Sequence, residues 1–450
     1  MTEIRKESWN RVALTAFLGH FVLAIWFVER ARLNADEGWY LYAARAISLG
    51  QVPYLEFPFF QAPVYPRVMA GLIDAGPGSL IAGRWWSCLM LLMSTGVTAL
   101  AARRVSGSVG AAVALVCFGL HPLVVSTAVL AKPYALTLLL MSTGLFLLLG
   151  REGKSIRIVV GFLLLSLAAG ARISLMAFLL PLMLAQRGRN LLLSVLGVGF
   201  GWVLLMPSLQ VVEPSALWNQ LIAFHLSDGG SLSLRLAWLF RVFIVWFVLW
   251  FGFKGRNTPI PGLKMACLLG VLVHLAPAEL HVEHVVVLVP AMALLLASGW
   301  SERLASPKVI ALGVAATLIG VGSSLQYVHL DTGESTVEQN MEIGRWLQSH
   351  VPEGQAILTR QVALAVEADR DVVSGCEMGR FGDLDGAAVL GSLAVGVGGV
   401  AVTPADFEPA LRREIATWSE VHLEHRRVEE PYGQFDERLW VWAGASIWMR

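Results

Sequence analysis

Apolar runs of roughly 17 to 25 residues recur along this chain, and each is long enough to cross about 30 Å of hydrocarbon as a helix. No other feature restricts the fold so tightly. Inside a bilayer every backbone N–H and C=O must find its partner within the segment, so such runs read as α-helices. Composition agrees. Of 450 residues, 56% are hydrophobic and 15% are charged, where a soluble domain carries about a quarter charged residues. Mean hydropathy is +0.63. The expected fold class is therefore a polytopic α-helical membrane protein. A net charge of +1 lacks the basic field that binding to a phosphate backbone needs, so no nucleic acid partner is expected. Cys88, Cys117 and Cys267 lie in apolar runs and Cys376 in a polar tail, with neither a disulfide framework nor metal-ligand spacing.

Spans are expected near 11–31, 80–102, 109–130, 133–150, 156–171, 173–186, 190–207, 235–253, 262–279, 284–300 and 308–326, about eleven in all. The first ends at Glu29-Arg30 without a small-residue cleavage pattern, so it reads as a retained helix. Arg103-Arg104, Arg151 with Lys154 and Arg157, Arg187 with Arg189, Lys254 with Arg256, and Arg303 with Lys308 fall on alternate connections. With Arg5, Lys6 and Arg11 they mark one cytoplasmic side. The N-terminus is then inside. Segments 32–79 and 208–234 and the C-terminal tail face outward. Residues 1–330 form the membrane domain, with 32–79 as its first outer loop. The tail, 331–450, turns acidic and loses its long apolar runs. "STVEQNMEIGRWLQSH" has helical spacing after Ser/Thr caps, as does "ADFEPALRREIATW", whereas "AILT", "GVAVT" and "LWVWAG" are strand-like. A small extracytoplasmic α/β domain is expected there. Neither GxGxxG nor a P-loop occurs, so nucleotide binding is not indicated.

The first outer loop opens with "NADEGWYLYAARAISLG", residues 34–50. Trp39, Tyr42, Ala43 and Ala46 share a helical face and Gly50 ends it, which predicts an amphipathic helix of about three turns in the headgroup interface. "VPYLEFPFFQAPVYP" is too rich in proline to continue that helix, and "RVMAGLIDAG" reads as a second interfacial one. The adjacent acids Asp36 and Glu37 then stand at the mouth of a helix just above the bilayer. An acid before a helix is also an ordinary capping residue, and spacing alone favours that plainer reading.

The stretch "DEGWYLYAARAISLGQVPYLEFPFFQAPVYP" resembles the first-loop pattern of the GT-C glycosyltransferases. It is similar to the bacterial branch that holds the aminoarabinose transferases of lipid A, protein O-mannosyltransferases and rhizobial lipopolysaccharide core transferases. The matching positions are Asp36, Glu37, Tyr40, Gly50, Pro53, Tyr54, Glu56, Gln61 and Pro63. Arg84 fits a recurring arginine of the next span. "AVLAKPYALTLLL" resembles a second outer motif, with Lys132 and Tyr134, and "HVEHVVVLVPAMALLLASG" a late motif in which His284 stands where Tyr is common. Ala62-Pro63 replaces a frequent proline pair, and Lys132 occupies a motif that often carries an acid. The resemblance covers about residues 10–330.

It implies a bacterial inner-membrane enzyme that moves a hexosyl or pentosyl group from a polyprenyl-phosphate donor to a hydroxyl on a glycolipid, glycan or protein. Transfer is on the outer face and inverts the anomeric carbon. Asp36 would be the base, and Glu37 would position the acceptor or raise the basicity of Asp36. Tyr40, Tyr54, Glu56 and Gln61 would contact substrate. The departing phosphate calls for cations, and Arg84, Lys132, Arg172 and Arg67 all fall at outer span ends. "ELHVEH" gathers Glu279, His281, Glu283 and His284, which reads as sugar or phosphate contact, as a divalent metal site, or as an interfacial turn. His225 and Asp228 are further substrate-contact candidates. No cofactor is firmly implied. Two rival readings stand beside this one: a transporter or flippase of a lipid-linked sugar, and a non-catalytic membrane assembly protein. The absence of an internal repeat and the end-of-span position of the acids weigh against the transporter.

Overall fold

The computed structural model describes residues 3–31, 33–119, 122–149, 155–205, 212–224, 258–274, 282–300, 337–359, 361–378, 400–402, 419–422 and 446–449. The spans expected at 235–253 and 308–326, the helix "ADFEPALRREIATW" and the strand "LWVWAG" lie outside them, as do His225, Asp228, Glu279 and His281. Two compact units emerge. The first comprises Met1–Val28, Gln61–Val64 and Trp86–Gln326; the second comprises Glu29–Phe60, Tyr65–Trp85 and Tyr327–Arg450.

The regular secondary structure of the first unit is helical among its described residues. Helices α1 (Glu3–Arg30) and α4 (Ser79–Gly119) contain segments long and apolar enough to cross a membrane, Glu7–Arg30 and Ser79–Val116. Both helices also contribute their ends to the second unit. Shorter apolar helices follow: α5 (Pro122–Ala128), α6 (Tyr134–Leu148), α7 (Ser155–Ala171), α8 (Met176–Leu184), α9 (Arg189–Leu205), α11 (Leu263–His274) and α12 (Val289–Trp300), with a short α10 (Pro214–Trp218) among them. Helix α4 breaks at Ser106-Gly107, where Gly107 takes φ 65°, a conformation in which a Cβ is strained. That break falls in the connection expected between the second and third spans.

Side chains explain why these helices associate. In lipid no hydrophobic force drives helices together, so small residues that let backbones approach carry the packing. A Cβ on Gly144 would sit 2.9 Å from the Gly161 carbonyl, and one on Gly197 would sit 2.4 Å from the Val159 carbonyl. These contacts join α6 to α7 and α7 to α9. Buried hydroxyls link α4 to α6, where Ser142 lies 2.8 Å from both Ser94 and Thr98. Outward, α1 exposes Leu14, Leu18 and Val22, and α9 exposes Leu192, Phe200 and Val203. Apolar stripes of this kind suit contact with lipid.

The second unit is built on α2 (Ala35–Ser48), α3 (Val64–Ala70, from Tyr65 onward), α13 (Val337–His350) and α14 (Val362–Glu367). A four-stranded sheet belongs to it as well: β1 (Ile357–Leu358), β2 (Val400–Val402), β3 (Ser419–His422) and β4 (Ser446–Met449), in the order β1-β2-β4-β3. The β1–β2 pair is parallel and the other pairs are antiparallel. Helix α13 starts at Val337 and buries Val337, Ile343 and Leu347, the helical face read from its sequence. Met341 and Trp346 of the same pattern are half-buried.

One expectation is corrected here. Helix α2 does not present a free apolar face. Glu37 through Ala44, and Ala46, are buried by protein. A periodic apolar stripe says that a face is covered, not whether lipid or protein covers it. On α2 the cover includes α14, which comes so close at Gly38 that a Cβ would stand 2.3 Å from the Ala363 nitrogen. The second interfacial helix, read at "RVMAGLIDAG", ends earlier than expected, because α3 stops at Ala70.

Candidate active site

Asn34, Asp36 and Glu37 are fixed by the way α2 begins. Asn34 is the cap residue, and its side chain accepts the Asp36 amide at 3.0 Å. The Glu37 carboxylate turns back to accept the Asn34 amide at 3.1 Å, closing a capping box. Consecutive helical residues diverge by about 100° in direction. The two acids therefore leave the first turn on different bearings and meet different surroundings.

Glu37 is fully buried against an equally buried Arg84. The guanidinium engages both carboxylate oxygens, Nε to Oε1 at 2.8 Å and Nη2 to Oε2 at 2.7 Å, and its Nη1 donates to the Ala31 carbonyl at 3.0 Å. This planar two-bond geometry is the strongest that arginine offers a carboxylate. It ties the first turn of α2 to the first turns of α4. Asp36 is only half-buried, and its Oδ1 accepts the Trp39 indole N–H at 3.3 Å. The helix N-terminus favours its negative charge.

Around this turn lie aromatic rings. Trp39 stacks on Tyr40 with centroids 3.8 Å apart, and Tyr40 meets Tyr65 edge-on at 5.4 Å. Phe59 lies 5.9 Å from Trp39 and 6.1 Å from Tyr54. Tyr54 is held at φ 70°, a left-handed conformation rare for a bulky side chain, with its amide bonded to the Phe57 carbonyl at 2.9 Å. Strain of this kind concentrates at functional sites. Burial pushes the Tyr54 phenol far above its usual range, so it stays protonated as a hydrogen-bond donor. Glu56 is exposed and accepts the Val52 amide, which closes the same turn.

Gln61, Lys132, Tyr134, Arg172, Glu283 and His284 belong to the first unit. Gln61 and His284 are half-buried. Lys132 lies in the turn before α6 and Arg172 just after α7, and both are buried. They share one aromatic neighbour: Lys132 Nζ is 5.6 Å from the centroid of the Tyr134 ring and the Arg172 guanidinium carbon 4.9 Å from it. Tyr134 opens α6, so two buried cations gather at a helix N-terminus. Arg67, half-buried on α3, belongs to the second unit. Glu283 lies in a 3-10 segment, Val282–Leu288. Among the described residues, no group of three or more His, Cys, Asp and Glu side chains could hold a metal.

Sequence reading missed the Glu37–Arg84 pairing. It also missed the part played by Asn34, although Asn before an acid-rich first turn is a capping signal. The spacing of Asp36 and Trp39, three apart on a helix, was the signal that could have found their bond.

The architecture matches known membrane enzymes. ArnT from Cupriavidus metallidurans, bound to undecaprenyl phosphate, superimposes with a TM-score of 0.62 at 14% identity, over 94% of this chain and 97% of that one. Its apo form gives 0.63 at 15% identity, over 92% and 96%. The chain has the GT-C glycosyltransferase fold. The Archaeoglobus fulgidus oligosaccharyltransferase, in complex with Zn and sulfate, matches with a TM-score of 0.51 at 11% identity, over 80% of this chain and 62% of that one. No protein-family model and no curated protein matches the sequence. The likeness to these structures is one of fold.

Proposed function

We propose that this protein is a membrane glycosyltransferase that takes a sugar from a polyprenyl-phosphate donor to a hydroxyl of a lipid, glycan or protein acceptor. The bilayer is the bacterial inner membrane, with the N-terminus cytoplasmic and the first loop and tail outside. About eleven spans carry the chain across it. Undecaprenyl phosphate in the ArnT complex supports a lipid-linked donor. The observation that carries the reading is the unequal fate of the two acids. Glu37 is locked in a buried ion pair, while the Asp36 carboxylate remains half-exposed on the same helical turn.

In the reaction, the Asp36 carboxylate accepts the proton of the acceptor hydroxyl as its oxygen attacks the anomeric carbon. The new C–O bond forms as the bond to the phosphate oxygen breaks, and the electron pair leaves with the polyprenyl phosphate. A single displacement inverts the anomeric centre and needs no covalent enzyme intermediate. A leaving phosphate needs positive charge, and Lys132 and Arg172, two buried cations beside the Tyr134 ring of the first unit, are proposed from their chemistry to bind a phosphate. Tyr40, Tyr54, Glu56, Gln61 and His284 are proposed to contact substrate, and the Glu37–Arg84 pair keeps the first turn of α2 in place. His225, His281 and Glu283 remain proposals from sequence.

The test uses the purified full-length chain in lipid nanodiscs with the polyprenyl-phosphate-sugar fraction of native membranes. Release of polyprenyl phosphate that depends on added acceptor extract supports a transferase. Movement of the intact lipid-linked sugar between leaflets without release identifies a flippase, and neither activity identifies an assembly protein.

A further inference from the structure

We propose that the tail segment from Ala363 to Asp371 is a positioning clamp for helix α2, and through it for Asp36. Three attachments within the second unit carry the inference. At the first turn of α2, the Ala363 backbone fills the space that a side chain at residue 38 would need, so Gly38 lets α14 press against the residue next to Glu37. At the last turn, Arg45 donates to Asp369 at 2.9 Å and to Asp371 at 2.5 Å. The third attachment acts on α4. Glu367, fully buried, accepts the Gly78 amide at 2.6 Å, the Leu80 amide at 2.7 Å and the Ser79 hydroxyl at 3.0 Å.

Glu367 thus caps the N-terminus of the helix that carries Arg84, and Arg84 grips Glu37. Both elements that determine where the first turn of α2 lies end on the same nine-residue piece of the tail. That piece is itself braced. Arg370 donates to the carbonyls of Gln348 and Val351 at the end of α13, each at 2.9 Å. Gly344 of α13 comes so close to Glu367 that a Cβ would stand 2.4 Å from its Cβ. Asp369 holds a left-handed φ of 51°, so the turn presenting its carboxylate to Arg45 carries local backbone strain. A tail that only recognised substrate would not need a buried carboxylate capping a membrane helix. These residues touch no reacting atom; they act through α2.

The consequence for chemistry rests on the reading of Asp36 as base. Displacing a reacting group by about 1 Å costs roughly 10²-fold in rate, and the cost falls on kcat when substrate contacts are kept. Two variants of the full chain in nanodiscs test this: Glu367→Ala, which removes the acceptor for Gly78, Ser79 and Leu80, and the double change Asp369→Asn with Asp371→Asn. The aspartates are about half-exposed, so the double variant leaves the fold intact if the cavity of Glu367→Ala proves disruptive. Hydrogen exchange over residues 33–50 is measured beside turnover of the native polyprenyl-phosphate-sugar fraction and binding of undecaprenyl phosphate. Expected are at least tenfold faster exchange in α2, a kcat lowered about 10²-fold with KM unchanged, and unaltered binding of undecaprenyl phosphate. Unchanged exchange in α2, or lower thermal stability with unchanged kcat in the folded fraction, overturns the clamp. If Asp36→Asn instead retains full turnover, the base reading fails and the exchange data alone judge the clamp.

Discussion

Removing Arg84 while leaving Glu37 is the most informative single perturbation of this fold. In Arg84→Met the Glu37 carboxylate keeps the Asn34 amide but loses two charge-assisted hydrogen bonds, at 2.8 and 2.7 Å, in a site closed to solvent. The Ala31 carbonyl loses a donor as well. Stranding one partner of a buried pair costs about 3–5 kcal/mol, whereas replacing both with uncharged groups of similar shape is often near neutral. Glu37→Gln combined with Arg84→Met should therefore recover most of the loss. The residue is about 1 kcal/mol from the weakened capping box. The double-mutant cycle should give a coupling of at least about 2–4 kcal/mol, the cost of Arg84→Met less what remains in the double variant, with the cost of Glu37→Gln alone added to it. Reversible unfolding in mixed detergent micelles, followed by circular dichroism, measures all four proteins. If Arg84→Met alone costs under about 1 kcal/mol, the pair behaves as an exposed one and the argument for a locked first turn is wrong. Additive single changes would refute it equally.

Other expectations follow from particular contacts. Lys132→Met and Arg172→Met should each weaken undecaprenyl phosphate binding about tenfold or more, since a hydrogen bond to a charged group is worth about 1.5–3 kcal/mol; calorimetry in nanodiscs reads this, and unchanged affinity removes both residues from the phosphate site. Gly38→Val should destabilise the second unit by at least about 1–3 kcal/mol of overpacking, visible as faster proteolysis of the tail. Burial, only partly offset by hydrogen bonds from Gly78, Leu80 and Ser79, holds the Glu367 carboxyl above the usual range, and burial does the same to Glu377. A carboxyl raised in the folded state stabilises it most below the unfolded value. That contribution is lost as pH rises through the folded value. Protease resistance of the tail should therefore fall as pH rises above about 4.5, and Glu367→Gln should flatten the trend; resistance that climbs over that range in the wild type contradicts the assignment.

Much of the helical scaffold was legible because hydropathy and helix punctuation are local signals. The expected limits of the span at 156–171 agree with α7 to one residue, and the break near Arg103-Arg104 appears at Ser106-Gly107. The acidic pair at the mouth of α2 was equally visible. Its division of labour was not, because Arg84 lies 47 residues from Glu37 and nothing local in the sequence says which of two adjacent acids it will meet. Glu367 lies 289 residues from Gly78, and its polar character at the end of an apolar helix reads as exposure rather than as a buried cap. The interfacial reading of α2 went astray for a related reason. Trp39, Tyr42, Ala43 and Ala46 form an apolar face whether lipid or α14 lies against it, and only the close approach permitted by Gly38 reveals which.

Single-turnover transfer by Asp36→Asn bears most directly on the proposed chemistry. The substitution keeps the size of the side chain and an oxygen to accept the Trp39 N–H, but it removes the base. Polyprenyl-phosphate release should fall by roughly 10²–10⁴-fold while undecaprenyl phosphate still binds. Release at the wild-type rate from a folded Asp36→Asn protein would show that the proton goes elsewhere.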